Sequence, residues 1–153
     1  MAVVEESIVI PRKPEEVFDY VADTRHLTSW DNSIIEAEQR GTGERGLGTR
    51  VQGVSKILGR RFPWVVEYVE YDRPSRLAFR TVEGPLHFTV TERLDPEDGG
   101  AATRFTWRVD ADPGLGGVFG KLADPLVERA QARTVRNNLE TLAEILTEHQ
   151  DVL

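Results

Sequence analysis

One stretch decides the fold of this chain, residues 8–23, which read Ile8-Val9-Ile10-Pro11-Arg12-Lys13-Pro14-Glu15-Glu16-Val17-Phe18-Asp19-Tyr20-Val21-Ala22-Asp23. The order of residues predicts a β-strand that runs through a proline turn into a short helix. Pro14 suits the first helical position, because it lacks an N–H that would be unpaired there. Glu15 and Glu16 then stand at the positive end of the helix dipole, so the start of this helix is well specified.

The same helix is amphipathic and leads directly into a second short one. Its apolar side chains form one stripe, made by Val17, Phe18 and Val21. We expect Asp23 or Thr24 to cap the second helix, because both residue types accept hydrogen bonds from helix N–H groups. This second helix presents Leu27 and Trp30.

The remaining sequence predicts six further strands and one long helix. Turn residues at hairpin spacing separate alternating runs at 34–40, 49–57, 62–71, 76–82, 86–94 and 103–111. With the first strand the total is seven, and the last six form a meander. From Pro125 to about residue 148 apolar residues recur three to five apart, which predicts a long amphipathic helix after a shorter helical piece at 118–123.

Size and composition predict one globular domain over residues 1–153, since 153 residues suit one core better than two. No apolar run is long enough to cross a bilayer, and residues 1–6 lack the basic start of a signal peptide. The net charge of −7 opposes nucleic-acid binding. The absence of cysteine excludes a disulfide or a thiol nucleophile, and a reducing cytoplasm is the simplest location.

Three motifs in this order resemble the START-like, helix-grip superfamily, and within it the polyketide cyclase/dehydrase and lipid-transport proteins. They are residues 8–23 with Trp30, the segment Val69-Glu70-Tyr71-Asp72-Arg73-Pro74 with Arg76-Leu77-Ala78-Phe79-Arg80, and Thr103-Arg104-Phe105-Thr106-Trp107. The resemblance covers essentially the whole chain. It implies an α+β helix-grip fold, in which a curved seven-stranded antiparallel sheet wraps round the long C-terminal helix.

The resemblance also implies an internal cavity that binds a small hydrophobic molecule of lipid, polyketide or isoprenoid type, with no cofactor and no metal. Members of this superfamily differ in activity, so two alternatives stay open. One is a cyclase, aromatase or dehydratase activity without a cofactor. The other is a protein-interaction module like the quinone-binding or ribosome-associated branches, for which an exposed apolar patch near Gly116–Phe119 would speak. The oligomeric state is left open.

Strand alternation predicts which side chains face the cavity. The expected aromatic and aliphatic ligand-binding residues are Trp30, Trp64, Val66, Phe79, Phe88, Val90, Phe105 and Trp107. On the long helix, Gln131, Val135 and Asn138 lie on or near the apolar stripe, where polar groups can orient a ligand; a boundary position at the helix flank is the alternative for Gln131 and Asn138.

Two carboxylates, Glu6 and Glu92, fall on strand faces that are otherwise apolar. Burial raises the pKa of a carboxyl group, which is how an enzyme obtains an acid or base near neutral pH. Glu6 and Glu92 are therefore the candidate catalytic residues, with Tyr68 to polarise a carbonyl. The alternative is that one or both lie at a strand end in solvent or pair with an arginine.

Other motifs carry no chemistry. The glycine-rich segment 114–122 misses the spacing of a phosphate-binding loop and has Leu122 where Ser or Thr is required. The three histidines, His26, His87 and His149, lack metal-ligand spacing, so we expect no zinc site.

Overall fold

The computed structural model describes residues 2–57, 59–111 and 125–148, and the side chains of these ranges except those of 2 and 125–128. The chain begins with strand β1 (Ala2–Ile10), which leads into helix α1 (Pro14–Ala22), a 3-10 turn (Thr24–His26) and helix α2 (Leu27–Trp30). Pro14 starts α1 as predicted, and the Asp23 carboxylate caps the 3-10 turn by accepting from the Arg25 N–H. The predicted helical piece at 118–123 lies outside the described residues.

Six strands follow the two helices, and one long helix ends the described chain. They are β2 (Ile34–Gln39), β3 (Arg50–Ile57), β4 (Arg60–Asp72), β5 (Arg76–Glu83), β6 (Phe88–Glu97), β7 (Ala102–Ala111) and α3 (Pro125–Glu148). Strand β6 extends three residues past its predicted end at Leu94. The reason is that its pairing with β7 continues to Glu97 opposite Ala102, which leaves only Asp98–Gly100 for the turn.

The seven strands form one antiparallel sheet in the order β1-β7-β6-β5-β4-β3-β2. The meander β2 to β7 is therefore continuous, and β1 closes it on the far side of β7. Two irregularities in the pairing of β4 with β5, at Val65/Val66 and Tyr68/Glu70, bend the long strand β4. Bends of this kind curve a sheet, and the fold is the predicted helix-grip architecture.

Helix α3 packs against β1 and α2, and its buried stripe joins the main core. Leu139, Leu142 and Leu146 are almost fully buried there. Arg12, in the turn after β1, donates from Nε to the carbonyl oxygen of Leu146 at 2.8 Å. A cation at a helix C-terminus satisfies carbonyls that have no partner within the helix, so this contact fixes the end of α3 over the sheet.

Of the described helices, none combines the length and the apolar character that crossing a bilayer requires.

Candidate functional site

A cavity of about 160 Å³ lies between the concave face of the sheet and α3. Apolar cavities of roughly 150 Å³ hold a benzene-sized molecule. Alternation along each strand directs every second side chain inward, so the sheet supplies most of the wall. The lining from β4 to β7 comprises Trp64, Val66, Tyr68, Phe79, Phe88, Val90, Glu92, Trp107, Val109 and Ala111.

The helices close the other side of this cavity. Trp30 and Asp31 line it from the end of α2, and Gln131 and Val135 line it from α3. Val21 of α1, Leu27 of α2, and Ser33 and Ile34 in the segment that enters β2 also line this side. The predicted ligand-binding residues Trp30, Trp64, Val66, Phe79, Phe88, Val90, Trp107, Gln131 and Val135 thus all lie in the lining of one cavity.

Two predicted ligand-binding residues lie elsewhere. Phe105 is fully buried behind the lining, where its ring packs edge-on against Trp30 with 6.2 Å between ring centroids. Asn138 of α3 is buried against the segment that follows α2. Its side chain donates to Asp31 Oδ1 at 3.1 Å and accepts from the N–H of Asn32 at 3.3 Å, so it holds Asp31 in position and stands behind the cavity.

Glu6 also lies outside the cavity lining, which corrects its placement among apolar neighbours. Its carboxylate accepts a hydrogen bond of 2.7 Å from Nη1 of Arg136 on α3. The side chain keeps about a fifth of its surface exposed. Strand alternation predicts correctly that Glu6 points toward the helix side of the sheet. There Arg136 of α3 neutralises its carboxylate, which is the arginine pairing given above as the alternative to a catalytic role.

Glu92 is the carboxyl group that lies inside the cavity. It is flanked on the sheet by Leu77 of β5 and Trp107 of β7, and only 1% of its surface is exposed. No described residue makes a hydrogen bond to its Oε2. Burial, with a smaller contribution from the charge of Asp31, raises the pKa of Glu92 to about 8.

Asp31 is a second buried carboxyl group in the lining. Its Oδ1 accepts three hydrogen bonds, from the backbone N–H of Ser33 at 3.0 Å, from the hydroxyl of Ser33 at 2.6 Å and from Asn138. Burial raises the pKa of Asp31, and these hydrogen bonds partly offset the effect. Sequence reasoning missed this residue. The spacing Asp31-x-Ser33 directly after a helix could have indicated it, because an aspartate at such a position typically accepts a hydrogen bond from the backbone N–H two residues later.

Three further polar groups border the cavity. The indole N–H of Trp30 is buried and has no hydrogen-bond acceptor among the described residues, whereas that of Trp64 donates to the Ser55 hydroxyl at 2.8 Å. The Tyr68 hydroxyl faces the carbonyl oxygen of Ala22 at 3.5 Å. Burial and the nearby Glu92 charge raise the pKa of Tyr68, so its phenol holds its proton.

Comparison with known proteins places these features in a family. The family model described as "polyketide cyclase / dehydrase and lipid transport" matches residues 1–147. The chain belongs to this family. Two of its structural neighbours are a START superfamily protein of Mycobacterium smegmatis, with 16% identity and a TM-score of 0.64, and the ZhuI aromatase/cyclase of Streptomyces sp. R1128, with 20% identity and a TM-score of 0.69. The matches cover 90% of this chain and 97% of the first, and 95% of this chain and 94% of the second.

Two further relatives are closer in sequence. The protein TTHA0849 of Thermus thermophilus has 25% identity and a TM-score of 0.78, and the match covers 96% of this chain and 99% of that one. The uncharacterized protein Rv1546 of Mycobacterium tuberculosis has 28% identity over 145 residues, 92% of each chain. These likenesses, with the family model, establish a cavity-type helix-grip fold.

No cluster of three or more histidine, cysteine, aspartate or glutamate side chains is placed to hold a metal ion within 2–57, 59–111 and 125–148. The expected apolar patch at Gly116–Phe119 lies outside the described residues.

Proposed function

We propose that this protein binds a small, largely apolar molecule in the cavity between its sheet and α3. The observation that carries the proposal is the composition of the lining, in which aromatic and aliphatic side chains surround a few polar groups. Ligand sites are typically apolar cavities of this kind, in which isolated polar groups set the orientation of the ligand. The description of the family, "polyketide cyclase / dehydrase and lipid transport", supports the same assignment, and the class of ligand we propose is a lipid, polyketide or isoprenoid.

Native mass spectrometry of freshly purified protein tests this proposal. We expect a small molecule to remain bound at gentle activation and to leave at higher energy. In parallel, an environment-sensitive apolar dye should gain fluorescence with the native protein and be displaced by apolar competitors of one or two rings. A protein that carries no molecule and binds no apolar probe of any size would contradict the proposal.

A second candidate function, a cyclisation or dehydration without a cofactor, is favoured by Glu92. A buried carboxyl group that keeps its proton near neutral pH can donate that proton to a bound molecule. Its Oε2 also has no hydrogen-bond partner among the described residues, so the group is available to a ligand. Tyr68, the residue expected to polarise a carbonyl, lies in the same lining, with its hydroxyl 3.5 Å from the carbonyl oxygen of Ala22.

The co-purifying molecule distinguishes catalysis from binding. If Glu92 drives a dehydration, the wild-type protein should carry two masses that differ by one water, and Glu92→Gln only the heavier one. Glu6→Gln is the matched control, because Glu6 pairs with Arg136 outside the lining. A single unchanged mass in all three proteins would contradict a dehydration, and an identical chromatographic retention of the released molecule from all three would contradict a cyclisation as well and leave binding as the function.

Nothing in the described residues favours the protein-interaction alternative. The exposed large apolar side chains of the described residues are Val3 and Val9 on β1, Ile35 on β2, and Leu47 in the loop between β2 and β3. Strands β1 and β2 are the two opposite edges of the sheet, so these side chains do not form one patch. A cytoplasmic location stays a prediction.

A further inference from the structure

The described lining of the cavity includes two carboxyl groups and no cationic side chain. Asp31 and Glu92 both line it, and no described lining residue is a lysine, arginine or histidine. Glu92 is 1% and Asp31 7% exposed. Buried acidic groups are normally paired with a base or a metal ion, because burial of an isolated charge is strongly unfavourable. This pair has neither within the described part of the lining.

Each of the two carboxyl groups has one oxygen that accepts no hydrogen bond from a described residue. No described residue makes a hydrogen bond to Oε2 of Glu92. Asp31 accepts all three of its hydrogen bonds on Oδ1, from Ser33 and Asn138, and no described residue donates to Oδ2. Two acceptors are therefore left for a ligand that brings several N–H donors.

Aromatic side chains line the same cavity as these acceptors. They are Trp30, Trp64, Tyr68, Phe79 and Trp107. The faces of aromatic rings attract cations, and the attraction is strongest where water is excluded. The net charge of −7 also draws cations to the protein from solution.

From this arrangement we infer that the molecule bound in the cavity is a hydrophobic amine, whose protonated nitrogen lies between Glu92 and Asp31 while its ring or chain contacts the aromatic lining. The inference rests on the proposed binding function and specifies the class of ligand. It also explains why acidic side chains without a basic partner occupy an otherwise apolar interior.

Binding of an amine changes the protonation of Glu92, as a comparison with the ligand-free protein shows. At neutral pH the empty cavity holds a proton on Glu92, since its pKa is about 8. An alkylammonium ion enters from water with its own proton, and Glu92 then releases its proton to solvent, so that carboxylate and ammonium pair. The ionisable groups that act on Glu92 are Asp31, which follows α2, and Tyr68 of β4. The cation Arg136 of α3 is paired with Glu6.

A matched pair of ligands tests the inference. Benzylamine and benzyl alcohol have almost the same size, and both suit a cavity of about 160 Å³. By NMR titration at about pH 8, where Glu92 loses its proton at little cost while the amine stays protonated, the wild-type protein should bind the amine about tenfold or more tightly than the alcohol, as a charge-assisted hydrogen bond predicts. The preference should vanish in Glu92→Gln and persist in Glu6→Gln.

A second measurement needs no variant. The pKa of Glu92, followed by carboxyl ¹³C NMR, should fall when benzylamine is present and stay unchanged with benzyl alcohol. Equal binding of amine and alcohol, or an unchanged pKa with bound amine, would overturn the amine assignment while the binding function stands. If neither ligand nor the apolar dye binds, both the assignment and the proposed function fail.

Discussion

At the scale of single residues, two aspartates with similar local geometry differ because of their surroundings. Asp23 accepts from the guanidinium and the N–H of Arg25, and these bonds lower its pKa to about 2. Asp31 accepts from Ser33 in the same turn-like manner, yet burial raises its pKa. The cationic partner of Asp23 stabilises the ionised carboxylate more than the neutral donors of Asp31 do. At Asp31 the effect of desolvation is therefore the larger one, and the pKa rises.

The raised pKa of Glu92 predicts a stability that declines with pH. Below about pH 4.5 Glu92 is protonated in both folded and unfolded chains, and between about 4.5 and 8 only the unfolded chain ionises it. Stability should therefore fall across this window, by up to about 1.4 kcal/mol per pH unit. Glu92→Gln should remove this component and equal or exceed the wild type in stability at neutral pH. Urea unfolding of both proteins at several pH values measures the difference, and parallel pH dependences in the two proteins would contradict it.

Gly53 leaves room for Trp64 in the cavity wall, and this predicts a specific sensitivity. A Cβ atom at Gly53 would lie 2.5 Å from two ring carbons of Trp64 and still closer to the carbonyl oxygen of Glu36. Gly53→Ala should displace the Trp64 indole and reduce stability by about 1–3 kcal/mol. Gly43→Ala is the control, because a Cβ there meets no atom within 4 Å. Equal unfolding midpoints for the two variants would show that the ring is not constrained at Gly53.

At the scale of elements, α3 and the sheet depend on each other. The helix presents its leucine stripe to the core, while Arg136 pairs with Glu6 of β1 and Asn138 bonds Asp31 after α2. Apolar burial supplies the stabilisation, and the polar contacts fix how the helix is rotated over the cavity.

Leu142 tests the contribution of this helix. The side chain is fully buried in the main core, so Leu142→Ala should reduce the free energy of unfolding by about 2–5 kcal/mol. Glu140→Ala, an exposed change on the same helix, should leave stability almost unchanged. Thermal or urea unfolding that shows no loss in Leu142→Ala would contradict the packing of α3.

At the scale of the whole molecule, the curved sheet and the helices enclose space that the side chains do not fill. The main core and the cavity lining share several buried side chains, among them Trp30, Trp64 and Tyr68, whereas Phe79, Phe88 and Trp107 line the cavity as partly buried residues packed against that core. Binding is therefore separable from stability mainly at the partly buried part of the lining, which includes Phe79, Phe88 and Trp107.

Trp107 lies in the cavity wall and keeps part of its surface exposed, so it serves to test this separation. Trp107→Ala should weaken binding of an apolar dye about tenfold or more, while the far-ultraviolet circular dichroism stays native. A saturating ligand at a hundred times its Kd should stabilise the wild type by about 2.7 kcal/mol, and the variant less at the same concentration.

Leu47→Ala controls for loss of apolar surface, because Leu47 is 73% exposed. Its dye affinity should match the wild type. Unchanged binding in Trp107→Ala would remove that side chain from the site, and weakened binding in Leu47→Ala would indicate that the dye reports on the surface.

The sequence by itself determined the architecture. Proline and acidic residues at the start of α1, turn residues at hairpin spacing and a change from period two to helical period are local signals, and each acts over a few residues. Strand alternation also identified most of the lining, including Glu92, because side-chain direction follows from position along a strand.

Only the tertiary structure decided which groups meet. Whether Glu6 pairs with Arg136, 130 positions away in the chain, depends on how α3 is rotated over β1. Asp31 lines the cavity because Asn138 and Ser33 hold its carboxylate. Phe105 lies outside the lining, packed against Trp30, and the amide of Asn138 lies outside it, bonded to Asp31 and Asn32. Periodicity assigns a residue to a face, whereas burial and partners depend on the elements packed against that face, which are distant in sequence.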